Sequence, residues 1–481
     1  MNIGNKPYSA GAHRKTSAPT GEKKFRIPQK GRIRVALALV LLIIIVKYAG
    51  PCVCGGDEKE LTQEKAVPAD TARPADKRPK PPPVPGYMMS FDDVRWLVSE
   101  YGVTVNAPEQ KVAVSKSDSK KRRRSGKGPD DDTLSVCMSI DTSLHKYAMN
   151  MLRRYKPRYG TVVAIDPSTG RVLVLASYAG EDEPIDGSDL YLKSIFPAAS
   201  IFKTVVAAAG IERGNMNRDT PVQHFGRNHT LYKTQLEKDL KVSKDVSLQD
   251  AYAYSINPVF GRIALFHVNK DAVLEFGRRF GFNDDAVPFE FTVEKSTMLN
   301  PDSTFSIAEF ASGFNRETTL SPILGALMAG AICENGVILK PTVVDSIRSS
   351  KRDTIVYSRA PEVWRRAVKE NTASELRWLM EKVTHYGTAR TPFRSLRGSD
   401  KYNYYQFGGK TGSVNQLGLG RVDWFIGFAR NTNNKNQRLA IGVVTTHGEY
   451  WTVHSSYIAA ELFKKYITNN ERQTTAPKPP K

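Results

Sequence analysis

Gly160 to Ile165 and Arg171 to Leu175 are two apolar, strand-like runs, and three more strands are expected far along the chain at Gly408 to Ser413, Val422 to Arg430 and Leu439 to Thr446. Asp166-Pro167-Ser168-Thr169-Gly170 between the first two supplies the residues of a tight turn, which makes them a hairpin. Asp141 or Thr142 opens a helix that runs to about Arg154, and another is expected from about Val453 to Tyr466. Between the early and late strands the pattern is mainly helical. Strands at both ends of one region with helices between them predict an α/β fold. Its centre is an antiparallel five-stranded sheet assembled from both ends, flanked by helices and joined to a helical subdomain, over residues 134–468.

The rest of the 481 residues reads differently. Residues 1–34 carry nine basic side chains against Glu22 alone, and Val35 to Val46 is an unbroken apolar run. Extended to residues 35–50 with its flanking Arg34 and Lys47 snorkelling, it is a short single-pass transmembrane anchor. The alternatives are a buried helix and the apolar part of a cleaved signal; no small-x-small site follows, which favours the anchor. The basic arm then lies in the cytoplasm and the remainder outside a bacterial cytoplasmic membrane. Residues 51–133, with five prolines between Pro79 and Pro85, predict a charged linker containing one short helix capped at Ser90. Residues 469–481 are expected to be disordered.

A net charge of +21 suits anionic surfaces, but no zinc-finger spacing or ribonucleoprotein signature accompanies it, so nucleic acid is not an expected partner. Cys52 and Cys54 are one residue apart, wrong for structural zinc, while Cys137 and Cys333 sit in apolar runs and are expected as buried thiols. Neither a metal nor an organic cofactor is implied.

Three short motifs carry the chemistry. Ser200-Ile201-Phe202-Lys203 begins an almost wholly apolar helix, which places the serine hydroxyl and the lysine amine on one face. Buried there, Lys203 loses its preference for the charged form and becomes a general base for a Ser200 nucleophile. Ser117 to Lys120 and Ser143 to Lys146 have the same spacing, but in linker and in a polar turn. Ser255-Ile256-Asn257 falls between a helix capped by Ser247 and one opened by Pro258. Asn257 is expected as the cap of the second helix, and Ser255 as a proton relay. Lys410-Thr411-Gly412-Ser413 follows Gly408-Gly409 on an edge strand. Gly412 leaves room for an extended peptide, Thr411 and Ser413 offer hydroxyls to a carboxylate, and the Ser413 amide can join that of Ser200 around an oxyanion. Lys410 adds positive charge for the carboxylate and lowers the pKa of Lys203.

This ordered set resembles the penicillin-binding protein and serine β-lactamase superfamily, specifically a monofunctional, membrane-anchored transpeptidase domain. Gly160 to Ser177 resembles that family's opening strands, Thr318 to Gly336 its buried helix, and Gly387-Thr388-Ala389 its loop before the lysine motif. The resemblance implies a peptidoglycan D,D-transpeptidase that cross-links stem peptides through a Ser200 acyl-enzyme and is inhibited by β-lactams. A separate glycan polymerase would be its partner. The nearest alternative is a hydrolytic D,D-carboxypeptidase. A β-lactamase fits Ile256 and Asn257 poorly; a sensor should carry several spans and a metal motif, where this sequence shows one span and no HExxH, and a non-catalytic scaffold should have lost part of the catalytic set, which is complete.

Overall fold

A computed structural model describes residues 87–90, 133–284, 287–349 and 353–475. The basic arm, the predicted anchor and most of the predicted linker lie outside the described residues, among which no helix is long and apolar enough to cross a membrane. Two strands come first, β1 (Tyr87–Ser90) and β2 (Thr133–Met138), paired antiparallel with Tyr87 opposite Val136. Within the predicted linker Tyr87–Ser90 forms a strand, and the short helix predicted to follow Ser90 lies outside the described residues.

Helix α1 (Thr142–Tyr155) starts where Asp141 accepts the Leu144 amide, and Lys156 closes it in a left-handed conformation. The chain turns into β3 (Tyr159–Ile165) and β4 (Val172–Ala179). Asp166 shapes their connection by accepting from the Ser168 amide and from the hydroxyls of Ser168 and Thr169. A helical section follows: α2 (Lys203–Glu212), α3 (Leu248–Ala253), α4 (Asn257–Arg262), α5 (Lys270–Phe280), α6 (Thr304–Ser312) and α7 (Pro322–Cys333). Helix α7 is buried along its whole length, so its sequence is apolar on every side. Cys333 is fully buried in it and forms no disulfide.

Strands β5 (Val344–Ser349) and β6 (Thr354–Ser358) complete a small sheet in the order β1-β2-β5-β6. Helices α8 (Glu370–His385) and α9 (Arg390–Arg397) then lead to β7 (Tyr405–Gln416), β8 (Gly420–Asn431), β9 (Arg438–His447) and α10 (Ser455–Thr475).

The central sheet has the order β7-β8-β9-β3-β4, with every neighbouring pair antiparallel. The first and last thirds of the domain meet where Ile441 pairs with Ala164. The three inner strands, β8, β9 and β3, are almost wholly buried, since α7 covers one face and α1, α9 and α10 the other. On the second face Phe393 stacks on Phe425 with centroids 5.4 Å apart. Helix α10 continues to Thr475, which corrects the predicted disorder over residues 469–475; residues 476–481 lie outside the described residues. No glycine or proline interrupts residues 469–475, and Glu471 pairs with Lys401 at 2.7 Å.

Candidate active site

The predicted nucleophile is held in a turn of unusual backbone. Phe196–Pro197 pairs with Thr319–Leu320, and the buried Trp424 indole donates to the Pro197 carbonyl at 2.9 Å. Ala199 follows with φ of +48°, a conformation that a side chain opposes. Its carbonyl is met by Gly313, where a β-carbon would lie 1.9 Å away, so only glycine fits beneath the turn. Ser200 consequently lies in a 3₁₀ turn, Ala199–Phe202, and α2 proper begins at Lys203. This adjusts the expectation that Ser200 sits in the α-helix. Residues three apart eclipse in a 3₁₀ turn, and Lys203 Nζ is 2.7 Å from Ser200 Oγ.

Lys203 is fully buried. Its amine also meets two oxygens, Asn257 Oδ1 at 2.7 Å and the Ser312 carbonyl at 2.5 Å. Burial drives its pKa well below the ordinary lysine value, and the charge of Lys410 adds to the shift. The Asn257 amide is oriented by its other end, which donates from Nδ2 to the His229 carbonyl at 3.1 Å. Asn257 is the first residue of α4 and Ile256 its cap, so the expected capping role of Asn257 is corrected: its side chain turns to Lys203 instead.

Lys410 is the second fully buried lysine, with its pKa lowered to about 7 by burial. Its amine donates to Ser255 Oγ at 2.9 Å and to the Thr411 carbonyl at 2.8 Å. The predicted relay, Ser255, is therefore bonded to Lys410, and it stands with φ of +56° on the turn between α3 and α4. Lys410 does not line the open cleft, but Ser255, which accepts from its amine, does.

Edge strand β7 closes the site. A β-carbon at Gly412 would lie 3.2 Å from the amide nitrogens of both Ser200 and Ile201, which shows how closely the strand passes the turn. Thr411, Gly412 and Ser413 line a cleft of about 1310 Å³ together with Ser200, His229, Ser255 and Asn257. The Thr411 and Thr388 hydroxyls share a 2.5 Å hydrogen bond. All eight predicted site residues thus converge, and two separate lysine-centred groups, Lys203 with Ser200 and Asn257, Lys410 with Ser255, meet at one opening.

Residues 160–468 match the profile of the penicillin-binding protein transpeptidase domain. The chain belongs to this family. Among relatives of penicillin-binding type, it is 26% identical over 258 residues to the peptidoglycan D,D-transpeptidase PbpA of Mycolicibacterium smegmatis, covering 47% of this chain and 52% of that one. It is 25% identical over 386 residues to penicillin-binding protein 3 of Bacillus subtilis, covering 72% and 52%. The chain spans about half the length of these relatives. In fold it is similar to the D,D-transpeptidase domain of a peptidoglycan glycosyltransferase from Eggerthella lenta, with TM-score 0.57 and 22% identity over 70% of this chain and 84% of that one. An imipenem acyl-enzyme of penicillin-binding protein A from Mycobacterium tuberculosis gives TM-score 0.56 at 20% identity, over 69% and 79%.

Within this transpeptidase fold, three contributors carry no sequence signal. Ser312 acts through its carbonyl and Gly313 through lacking a side chain, both at the end of α6. His229 lies on a loop whose sequence resembles no motif, and it reaches the site only because the helical section folds back over α4.

Proposed function

We propose that this protein is a peptidoglycan D,D-transpeptidase working through a Ser200 acyl-enzyme that β-lactams trap. The observation that carries the reading is the donor and acceptor count around Lys203. A neutral amine has two N–H donors and one lone pair. Two of its neighbours, the Asn257 Oδ1 and Ser312 carbonyl oxygens, can only accept, so the lone pair is left facing the Ser200 hydroxyl. That is the arrangement of a general base poised on its nucleophile.

Lys203 takes the Ser200 proton as Oγ attacks the penultimate carbonyl of a stem peptide, and the oxyanion is received by the amides of Ser200 and Ser413. The peptide lies along the open edge of β7, with its carboxylate against the Thr411 and Ser413 hydroxyls. Ser255, backed by Lys410, hands a proton to the departing amine. An incoming amine then reverses these transfers and collects the acyl group. The family resemblance and the names of the relatives support the amine acceptor. The apolar run at residues 35–50 supports membrane attachment with this domain outside, beside a separate polymerase.

Incubation of the full chain with labelled penicillin should give one adduct, on the peptide containing Ser200, and Ser200→Ala should give none. An adduct on Ser255 or Ser413 would refute the assignment. With stem peptides and a labelled D-amino acid, incorporation of label identifies a transpeptidase. Release of D-Ala without incorporation, across several acceptors, would make it a carboxypeptidase.

A further inference from the structure

The proposed reaction joins stems through an amine, so the donor stem, the one acylated onto Ser200, also brings a side-chain amine of its own into the cleft. At neutral pH that amine is an ammonium, and the cleft has a carboxylate placed to meet it. Asp423 stands on β8 directly opposite Ser413 of β7, with both side chains on one face of the sheet and their β-carbons about 5 Å apart. It is 7% exposed and lines the cleft. The register thus puts a buried acid one strand behind the Ser413 amide.

A structural role explains only half of this carboxylate. Asp423 Oδ2 accepts the Ser455 amide at 2.7 Å and so caps the start of α10. A cap needs an acceptor and no charge, and asparagine serves as well. The charge is costly where it is buried without a full ion pair. Its cationic neighbour among the described residues is His454, whose Nδ1 lies 3.7 Å from Oδ2, too long for a hydrogen bond. Glu461, which also lines the cleft, is by contrast paired with Lys464 at 2.6 Å.

The wall around Asp423 is fixed. Ser455 Oγ donates to the Asp423 carbonyl at 2.7 Å and shares a 3.0 Å hydrogen bond with Thr445, which shares another of 3.0 Å with His447 Nε2. Trp451 is held by three neighbours, the rings of His447 at 5.0 Å and His454 at 4.4 Å and the Arg421 guanidinium at 5.3 Å. It gives the cleft an apolar wall beside the carboxylate. A flexible side chain of several methylenes that ends in an ammonium matches that pairing of wall and acid.

We infer that Asp423 is a specificity-determining residue that binds the side-chain ammonium of the donor stem peptide, with Trp451 covering the methylenes that lead to it. The inference rests on the proposed D,D-transpeptidase reading, and its test separates the two.

The full chain is given two peptides, Nα-acetyl-lysyl-D-Ala-D-Ala and the same peptide acetylated on its side-chain amine. Wild type should release D-Ala from the free-amine peptide with kcat/KM about 10-fold higher. In Asp423→Asn, which keeps an acceptor for the Ser455 amide, the two peptides should react equally, and Asp423→Ser, a second uncharged cap, should behave alike. Equal rates in wild type, or a preference that survives in the variants, would overturn the proposal. So would a preference confined to transfer of the acyl group to an added amine, since the ammonium would then belong to the acceptor. If wild type takes up no penicillin and releases no D-Ala, the proposed function fails, and calorimetric binding of the two peptides still decides the subsite: no tighter binding of the free-amine peptide to wild type, or the same advantage in Asp423→Asn, would refute it.

Discussion

Replacing Lys410 by methionine should make the protein more stable at neutral pH and inactive. Its amine is fully buried and its pKa falls from 10.5 to about 7 through burial. That displacement corresponds to about 5 kcal/mol of disfavour for the charged form relative to the unfolded chain. The folded value lies below the unfolded one, so between about pH 7 and 10.5 the unfolded chain holds a proton that the folded chain lacks. Stability from this group therefore rises with pH across that window and is flat on either side. At pH 7 the penalty stands at about 4 kcal/mol. Methionine has similar volume and no charge, and it forfeits only the bonds to Ser255 Oγ and the Thr411 carbonyl, each worth about 1 kcal/mol. Lys410→Met should then be about 2 kcal/mol more stable than wild type at pH 7, an advantage that shrinks to nothing near pH 9. Urea unfolding of both proteins from pH 7 to pH 10 measures the difference directly. A variant less stable at pH 7, or a gap that does not narrow as pH rises, would refute the reasoning. Penicillin acylation, measured on the same samples, should be lost, since Ser255 loses its partner and Lys203 loses the neighbouring charge that helps depress its pKa.

Lys203→Ala should slow acylation by about 10²- to 10⁴-fold, with penicillin still bound reversibly, because the base is removed and the cleft remains. In wild type the acylation rate should rise with pH as Lys203 loses its proton, at a midpoint well below 10.5; a profile flat from pH 5 to 10 would exclude Lys203 as base. Gly412→Ala would place a β-carbon 3.2 Å from the Ser200 and Ile201 amides, so β7 must shift by a few tenths of an ångström. Acylation should fall about 10-fold with little change in unfolding midpoint. Gly313→Ala has no such room, at φ of +67° and 1.9 Å from the Ala199 carbonyl, and should both destabilise by about 1–3 kcal/mol and disorder the Ser200 turn, measurable by urea unfolding and penicillin uptake.

Strands β3, β4, β8 and β9 were legible because they are apolar runs of the right length, and pairing of β3 with β9 follows once both must be buried. The three motifs were legible because serine, lysine and glycine are costly where they stand. Lys203 and Lys410 interrupt apolar surroundings, and each must have a reason to be there. What stayed hidden depends on backbone. Ser312 contributes a carbonyl that any residue would supply, and Ala199 adopts its positive φ only because Gly313 and Trp424 shape the turn from elsewhere in the chain. The partner of Ser255 was equally illegible: spacing alone does not say which lysine it serves, and only the packing of β7 against the α3–α4 turn gives it to Lys410. The ends of elements differ for local reasons. At 469–475 helix-compatible residues carry α10 past its last buried apolar turn, where hydrophobic periodicity no longer marks it.

In the proposed reaction the two lysines divide the proton work because their neighbours differ, not because their burial does. Both are fully buried, and neither is set against a carboxylate. Around Lys203 two oxygens that only accept use up both N–H groups of the neutral amine, which forces its lone pair toward Ser200. Around Lys410 the Thr411 carbonyl takes one N–H, and the remaining partner is a hydroxyl able to donate or accept. A pKa near 7 lets that amine change protonation state at little cost near neutral pH. Lys203 is thereby suited to take a proton from one fixed partner, and Lys410 with Ser255 to pass one in either direction, which a reaction with a departing and an arriving amine requires.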